Sequence, residues 1–290
     1  MKYITTLKLG AALTTAVCGQ ALAGYANMHG VIVLQSGSSS GALSVSGNGV
    51  ITAGPVGVHS TSNSSVTGSG NGVINCTTLK SMGGFQFSGN FVCNAPAGQL
   101  SGLLLDPCGL LTWPTAAASP TNVAVSNSSS VVTIPAGTHS NVAISGGTVT
   151  FAPGIHIITN GMSISGQAKV YGTGVMLVMA GGAIAISGQV EVRMTPLMAG
   201  EYAGITIAQP ATNTSTMAMS GGSKVSIGGT IYAPSAQINL SGQADVAATG
   251  ALFGDLVVAK RLSLSGQGRL RVGVDQGSVV GPPAVSGLHD

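Results

Sequence analysis

A five-residue unit, apolar–x–apolar–Ser–Gly, returns through the chain and constrains its fold more than any other feature. It stands at Leu43–Gly47, Phe85–Gly89, Val142–Gly146, Met162–Gly166, Ile184–Gly188, Met217–Gly221, Ile238–Gly242 and Leu262–Gly266, usually followed by Gln, Asn or Gly. Weaker copies lie at Ser65–Gly68 and Val123–Asn127. The glycines fall at Gly47, Gly68, Gly89, Gly146, Gly166, Gly188, Gly221, Gly242 and Gly266. Outside the gap between Gly89 and Gly146 their steps are 21, 21, 20, 22, 33, 21 and 24 residues. Asn127, in the glycine place, divides that gap into 38 and 19 residues. Self-similarity at a fixed short period marks an architecture of stacked repeats.

The unit explains itself physically. Alternate residues of a strand point to opposite faces, so its two apolar positions point inward and the residue between them points out. Ser-Gly then makes a corner, because Gly accepts a positive φ and the Ser hydroxyl can bond the turn backbone. Coils stacked about 4.8 Å apart pair each strand with those above and below. The Asn or Gln after the corner then stacks into an amide ladder. The reading is an all-β, right-handed parallel β-helix (β-solenoid) with about 21 residues per coil. About 12 coils at that rise make a rod on the order of 60 Å long.

Residues 24–110 read as an N-terminal set of coils holding the cysteines, and 111–122, with two prolines and the only Trp, as a connecting segment. Residues 123–272 form the most regular block, and 273–290 a loose tail. The 33-residue step contains Pro196 and Pro210, which places a protruding loop at 193–215.

Composition fixes the environment. Only 6% of residues are charged, yet 44% are hydrophobic, which excludes ordinary disorder. Lys2 and Lys8, the apolar run Leu9–Val17 and the small-x-small site Ala21-Leu22-Ala23 read as a signal peptide over 1–23. Its apolar run is too short to span a membrane, and no later segment qualifies. The expected location is therefore outside the cytoplasm, in the periplasm, on the cell surface or in the medium. Removing Lys2 and Lys8 from the ten basic side chains leaves eight against seven acidic ones. A net charge of +1 gives no electrostatic footprint for nucleic acid. In an oxidising compartment Cys76 and Cys93, 17 residues apart and so about one coil apart, are the candidate disulfide, with Cys108 left over.

Catalytic and metal chemistry find little to work with. A glycosidase needs two carboxylates facing each other across a cleft. Glu191 and Glu201 are ten residues apart around the expected loop, and Asp245 and Asp255 are ten apart on different faces. They read as scattered surface charges. His139 and His156 share a Pro-containing context ahead of repeat strands, which a repeated turn position explains better than a metal site. No nucleophile elbow, phosphate cradle or zinc spacing stands out. No catalytic, metal or cofactor site is expected.

Over nearly all of residues 31–272 the chain resembles the C-terminal solenoid region of tight-adherence (Flp) pilus-assembly proteins of the TadG type, from bacteria. The resemblance rests on Gly41-Ala-Leu-Ser-Val-Ser-Gly47, Asp106-Pro107, Ala152-Pro-Gly-Ile-His156 and Gly172-Thr-Gly-Val-Met-Leu-Val178. It continues in Gly200-Glu-Tyr-Ala-Gly-Ile205, Gly229-Thr-Ile-Tyr-Ala-Pro234 and the final Leu262-Ser-Leu-Ser-Gly266. Such proteins usually begin with a membrane anchor, whereas this chain opens on a cleavable signal, as a free-standing solenoid module would. The resemblance implies a role in pilus assembly, adhesion or surface attachment. The expected function is a non-enzymatic structural or adhesive β-solenoid, with a carbohydrate-active or carbohydrate-binding β-helix as the alternative. The expected partners are a protein or surface glycan, pilus components included, and further copies of the chain through the solenoid ends.

Overall fold

The computed structural model describes residues 30–248 and 255–273; the expected signal peptide at 1–23 and the tail beyond Gly273 lie outside them. All described strands pair in parallel and stack as a β-solenoid of about 10 turns, about 23 residues apart. The repeat spacing alone predicts shorter and more numerous turns. The difference arises because residues 100–120 build no turn and one turn takes 33 residues.

Each turn has three faces. The Ser-Gly units form the serine face, represented by Met162–Ile164 and Ile184–Ile186, where buried and outward residues alternate. After the glycine corner come strands such as Lys169–Gly172, Glu191–Met194 and Lys224–Ile227, which form the charged face. The third face holds Gly30–Val33, Val175–Met179 and Ile205–Ala208, and in these strands every residue is buried. A strand buried on both sides is one whose outer surface is also covered.

The order of turns in space is not their order in the chain. Along the rod the strands run from Thr121–Val125 and Val131–Ile134 through to Leu256–Leu264 and Arg269–Val272. There the stack passes to the N-terminal part of the chain. Gly30–Val33 pairs with residues 256–259, Leu43–Val45 with 262–264, and Val50 to Thr52 with Arg269 to Arg271. The stack then continues through Val73–Ser81 and finishes on Phe85–Phe87, Val92–Cys93 and Ala97–Gln99. Hydrogen bonds cross this seam as they cross any other pair of turns: Ser46 N–H donates to Leu264 O at 2.9 Å, Asn48 N–H to Gly266 O at 2.7 Å, and Val50 N–H to Gly268 O at 2.9 Å. Asp255 is buried at the seam, its Oδ1 accepting from Gly229 N–H at 2.9 Å and its carbonyl from Gly30 N–H at 3.1 Å.

Since the finishing strand Ala97–Gln99 and the starting strand Thr121–Val125 lie at opposite ends, residues 100–120 must travel the length of the rod. About ten turns span roughly 48 Å, and 21 extended residues reach about 70 Å, so the segment has slack. A tight turn absorbs some of it: Asp106 Oδ1 accepts from Cys108 N–H at 3.0 Å, and Leu111 N–H donates to Cys108 O at 3.0 Å. This strap covers the third face. Its contacts appear in rod order: Leu104 against Gly57, Asp106 Oδ2 accepting from Tyr232 Oη at 2.8 Å, and Trp113 stacked on Tyr232 and Tyr202. Tyr202 Oη donates to Thr112 O at 2.6 Å, and Ala117 N–H donates to Thr138 Oγ1 at 2.9 Å. Beneath it lies a second apolar cluster that includes Met176, Val178, Ile205, Tyr232, Val258 and Cys108, distinct from the core inside the solenoid.

The 33-residue step is one turn with two long corners on either side of Ile205–Ala208 rather than a single projecting loop. One corner carries Leu197 and Tyr202 onto the strap. The other is tied down by Asn213, whose Nδ2 donates to Met179 O and Gly182 O, both at 2.9 Å.

Candidate functional site

The corner glycines form a column along the rod, each sitting directly on the one below. Gly47, Gly89, Gly166, Gly188, Gly221, Gly242 and Gly266 all take left-handed φ values. The column crosses the seam, since a Cβ on Gly47 would stand 2.9 Å from Gly266 O. At two positions the left-handed residue is not the expected one. Gly70 (φ 69°) serves the corner in place of Gly68, and Gly147 (φ 74°) in place of Gly146. Gly68 instead ends the strand Val66–Gly68 at an inward position, where a Cβ would meet the Phe91 ring at 2.6 Å. The missing side chain there makes room for Phe91. Beside the corner runs the expected amide ladder over three turns: Asn71 Nδ2 donates to Asn48 Oδ1 at 3.1 Å and Asn90 Nδ2 to Asn71 Oδ1 at 3.2 Å.

The acidic residues are distributed by the register. On the charged face one outward column reads Lys169, Glu191, Lys224, Asp245, Arg269, so every carboxylate lies between cations on adjacent turns. Glu191 also pairs with Arg193 Nε at 2.7 Å, and Asp245 accepts two bonds from Arg271 Nη2 at 2.8 and 2.9 Å. Glu191 and Asp245 therefore share a face but are separated by the Lys224 turn. Glu201 is exposed on the long corner, and Asp255 is buried at the seam between Gly229 and Gly30. No two of these carboxylates face each other across a cleft. Among the described residues no group of three or more His, Cys, Asp and Glu is placed to hold a metal.

Cys76 and Cys93 lie on adjacent turns and carry free thiols, both half-buried against the core. The register sets Cys93 opposite Ile74, two residues short of Cys76. Burial, with Cys93 nearby, pushes the Cys76 thiol up to about 12. Cys108 is buried beneath the strap.

The histidines come together at the starting end. His139 and His156 are both buried, their rings stacked with centroids 5.5 Å apart, and His139 Nε2 lies 3.3 Å from His156 Nδ1. His156 Nε2 donates to Ala152 O at 2.8 Å, so its Nδ1 accepts; Thr121 Oγ1 lies 3.0 Å from His139 Nδ1. Phe151 meets the His156 ring edge-on. Burial holds both imidazoles below their usual pKa. The sign follows: below about pH 6.5 the unfolded chain takes up protons that the folded pair resists, so stability is full above that pH and falls as pH drops. Urea midpoints measured from pH 7.5 down to 5.5 should fall in the parent chain and fall less in the His139→Gln, His156→Gln double variant. Equal slopes in the two proteins would rule the pair out as the cause.

Two surface features complete the inventory. An open cleft of about 390 Å³ at the corner near the starting end is lined by Ser126, Ser128, Ser145, Thr148, Gln167 and Lys169. The serine face presents a central outward column reading Ala124, Ala143, Ser163, Ala185, Ala218, Asn239, Ser263, Ser44, Thr67, Gln86, continuous across the seam. The repeat unit places one outward residue between its two apolar ones, as this column shows, but it gives no sign of the covered third face. Its signal was available in unbroken apolar runs such as Val175–Met179, which have no outward polar position. No helix among the described residues is long and apolar enough to cross a membrane. Comparison with protein-family models, with curated proteins and with solved structures returned no match.

Proposed function

We propose that the chain is an exported, non-enzymatic structural or adhesive rod that binds its partner along the serine face. The observation that carries this reading is the outward column of that face: about ten turns deep, made only of Ala, Ser, Thr, Asn and Gln, without a charge. Short neutral side chains in a straight row make a flat surface, with hydrogen-bonding groups at its Ser, Thr, Asn and Gln positions and methyls at its four Ala positions, that suits an extended partner. The carboxylates support the non-enzymatic part, since each outward one on the charged face is engaged by cations rather than set against a second acid. The resemblance to TadG-type solenoids points to pilus components or the cell surface as the partner, and a location outside the cytoplasm suits such a role.

The test is binding of labelled rod to bacterial envelope fractions, isolated pili and purified surface polysaccharides. The Ala185→Arg, Ala218→Arg double variant places two charges in the column at outward positions and should fold normally while losing at least tenfold in binding. Unchanged binding would remove the serine face from the interaction. Cleavage of a polysaccharide would replace the reading by its alternative, a carbohydrate-active β-helix. Binding to glycan that the Ser145→Ala, Gln167→Ala variant abolishes would move the site to the hydroxyl-lined cleft.

A further inference from the structure

Among the described residues, neither end of the rod is formed by the first or the last strand in the chain. The starting turn is Thr121–Val125 with Val131–Ile134; the finishing turn is Phe85–Phe87, Val92–Cys93 and Ala97–Gln99. Each of these strands pairs on one side only among the described residues. Solenoid ends are ordinarily protected by charged side chains or covering elements. Here residues 85–99 and 121–134 contain no Asp, Glu, Lys or Arg at all. Both ends also expose apolar side chains: Phe87 (39% exposed) and Val92 (44%) on the finishing turn, Val131 (82%) on the starting one.

The two ends are complementary. One backbone ladder shows it: Thr148 N–H donates to Ser130 O, Lys169 to Gly147 O, Glu191 to Ala168 O, and so on across the seam to Val50 with Gly268 O and Val92 with Gly72 O. The next bond in that series would run from Val131 N–H at one end of the rod to Phe91 O at the other. The side chains follow the same columns. The outward column is charged over five central turns and turns to valine at Val50, Val73 and Val92, while Val131 opens it at the other end. By the same register Phe85 corresponds to Val123, Phe87 to Val125 and Cys93 to Val132.

We infer that a second copy of this chain docks head to tail on the rod, its starting turn stacking in register on the finishing turn of the first. The molecule already contains such a joint. At the seam a turn made of residues 30–53 sits on one made of 256–272, with no direct chain connection between them, and the glycine, serine and apolar columns run through without a break. Only the head-to-tail arrangement keeps all strands parallel and pairs the open donors with the open acceptors. A heterologous contact that does not close on itself propagates, so the product is a filament. It lengthens by about 48 Å per copy, ten turns at the parallel strand spacing. The inference is independent of what the serine face binds, and a filament would repeat that face along its length.

The test uses two variants of the full chain, each spoiling one end. Phe87→Lys sets a cation into an inward column of the finishing end. Val131→Pro removes the donor from the starting end at a position where an edge strand tolerates Pro. Circular dichroism and thermal melts establish that both fold. Sedimentation velocity and negative-stain microscopy should show rods of stepwise increasing length for the parent chain and single rods for each variant alone. Mixed in equal amounts, the two variants should form pairs and nothing longer, since one intact end of each kind remains. A parent chain that stays monomeric at its highest soluble concentration overturns the inference. So does assembly by either variant alone, or a mixture that does not pair. Should Val131→Pro fail to fold, Val123→Lys takes its place under the same criteria.

Discussion

Replacing Gly221 by Val should destabilise the rod by about 3 kcal/mol. Gly221 takes φ 71°, and a Cβ there would stand 2.7 Å from Gly188 O and 2.8 Å from Gly188 N. Two penalties combine. An L side chain in the left-handed region costs roughly 1–2 kcal/mol, more when β-branched. The overlap is with backbone, which no side-chain rotation relieves, so the turns must separate locally and stretch the ladder around Gly222 N–H and Gly188 O, now 2.9 Å. Gly221→Ala keeps both penalties in milder form and should lose about half as much. Gly102→Ala is the matched control, because nothing lies within 4 Å of its Cβ site; it should change stability by less than about 0.5 kcal/mol. Urea midpoints of the three proteins decide the matter. If Gly221→Val is no worse than Gly102→Ala, the column is not a constraint on stacking. The effect is expected to be large because in a solenoid each turn is held only by its two neighbours, so one spoiled joint weakens the chain of contacts on both sides.

The repeat made the turn legible but not the order of turns. Leu-x-Leu-Ser-Gly at 262–266 and Leu-x-Val-Ser-Gly at 43–47 say that both segments build serine-face strands, and both do. Nothing in either says that one sits on the other, because every turn offers the same apolar columns and the same corner. Stacking is settled by which residues can travel where. The 100–120 segment has a Ser-Gly at 101–102 but no complete apolar–x–apolar–Ser–Gly unit and little alternation, and its slack lets it run back along the rod. By sequence only 111–122 reads as a connection and 100–110 belongs to the coils; in the structure the whole stretch is a cover held by Asp106, Trp113 and Ala117. The local errors have local causes. Two glycines lie close together at 68 and 70, and two adjoin at 146 and 147. Periodicity counts them alike, whereas the chain puts the left-handed φ where the corner falls and uses Gly68 to admit Phe91. The carboxylates were partly legible: Asp245 and Asp255 do fall on different faces. The ion ladder linking Glu191 to Asp245 was not, since it depends on a register two turns long that no spacing of ten residues reveals.

If the order in space is what holds the rod together, the order in the chain is replaceable. A permuted chain that begins at Ser119, runs to Gly273, passes through one added Gly to Gly30 and ends at Ala118 should therefore fold into the same solenoid. The join is short for a structural reason. Val272 aligns with Ala248 and, one turn further on, Ile227, while Gly30 aligns with Leu256. The corner from Val272 to Gly30 is thus the one that the chain makes from Ile227 to Thr230, which takes two residues. Gly273 and one added Gly supply them. The new ends fall between Ala118 and Ser119, in an exposed stretch past the last strap contact at Ala117, the kind of site where permutation is tolerated. The strap stays attached to the finishing turn, so the third face remains covered. What changes is loop closure: a connection spanning the whole rod is cut and a two-residue one is made. Closure entropy varies slowly with length, by about 0.6 kcal/mol per doubling, so the net effect on stability should be modest. The linear chain of residues 30–273 is the control. The permuted and linear proteins should share a β-type dichroism spectrum and a cooperative melt, with midpoints within several degrees. A linear chain that folds beside a permuted chain that does not would mean that the seam needs more than turn-on-turn stacking to form. Agreement between them would establish that the joint between residues 30–53 and 256–272 is an ordinary step of the solenoid, made without a covalent link and so open to being made between two molecules.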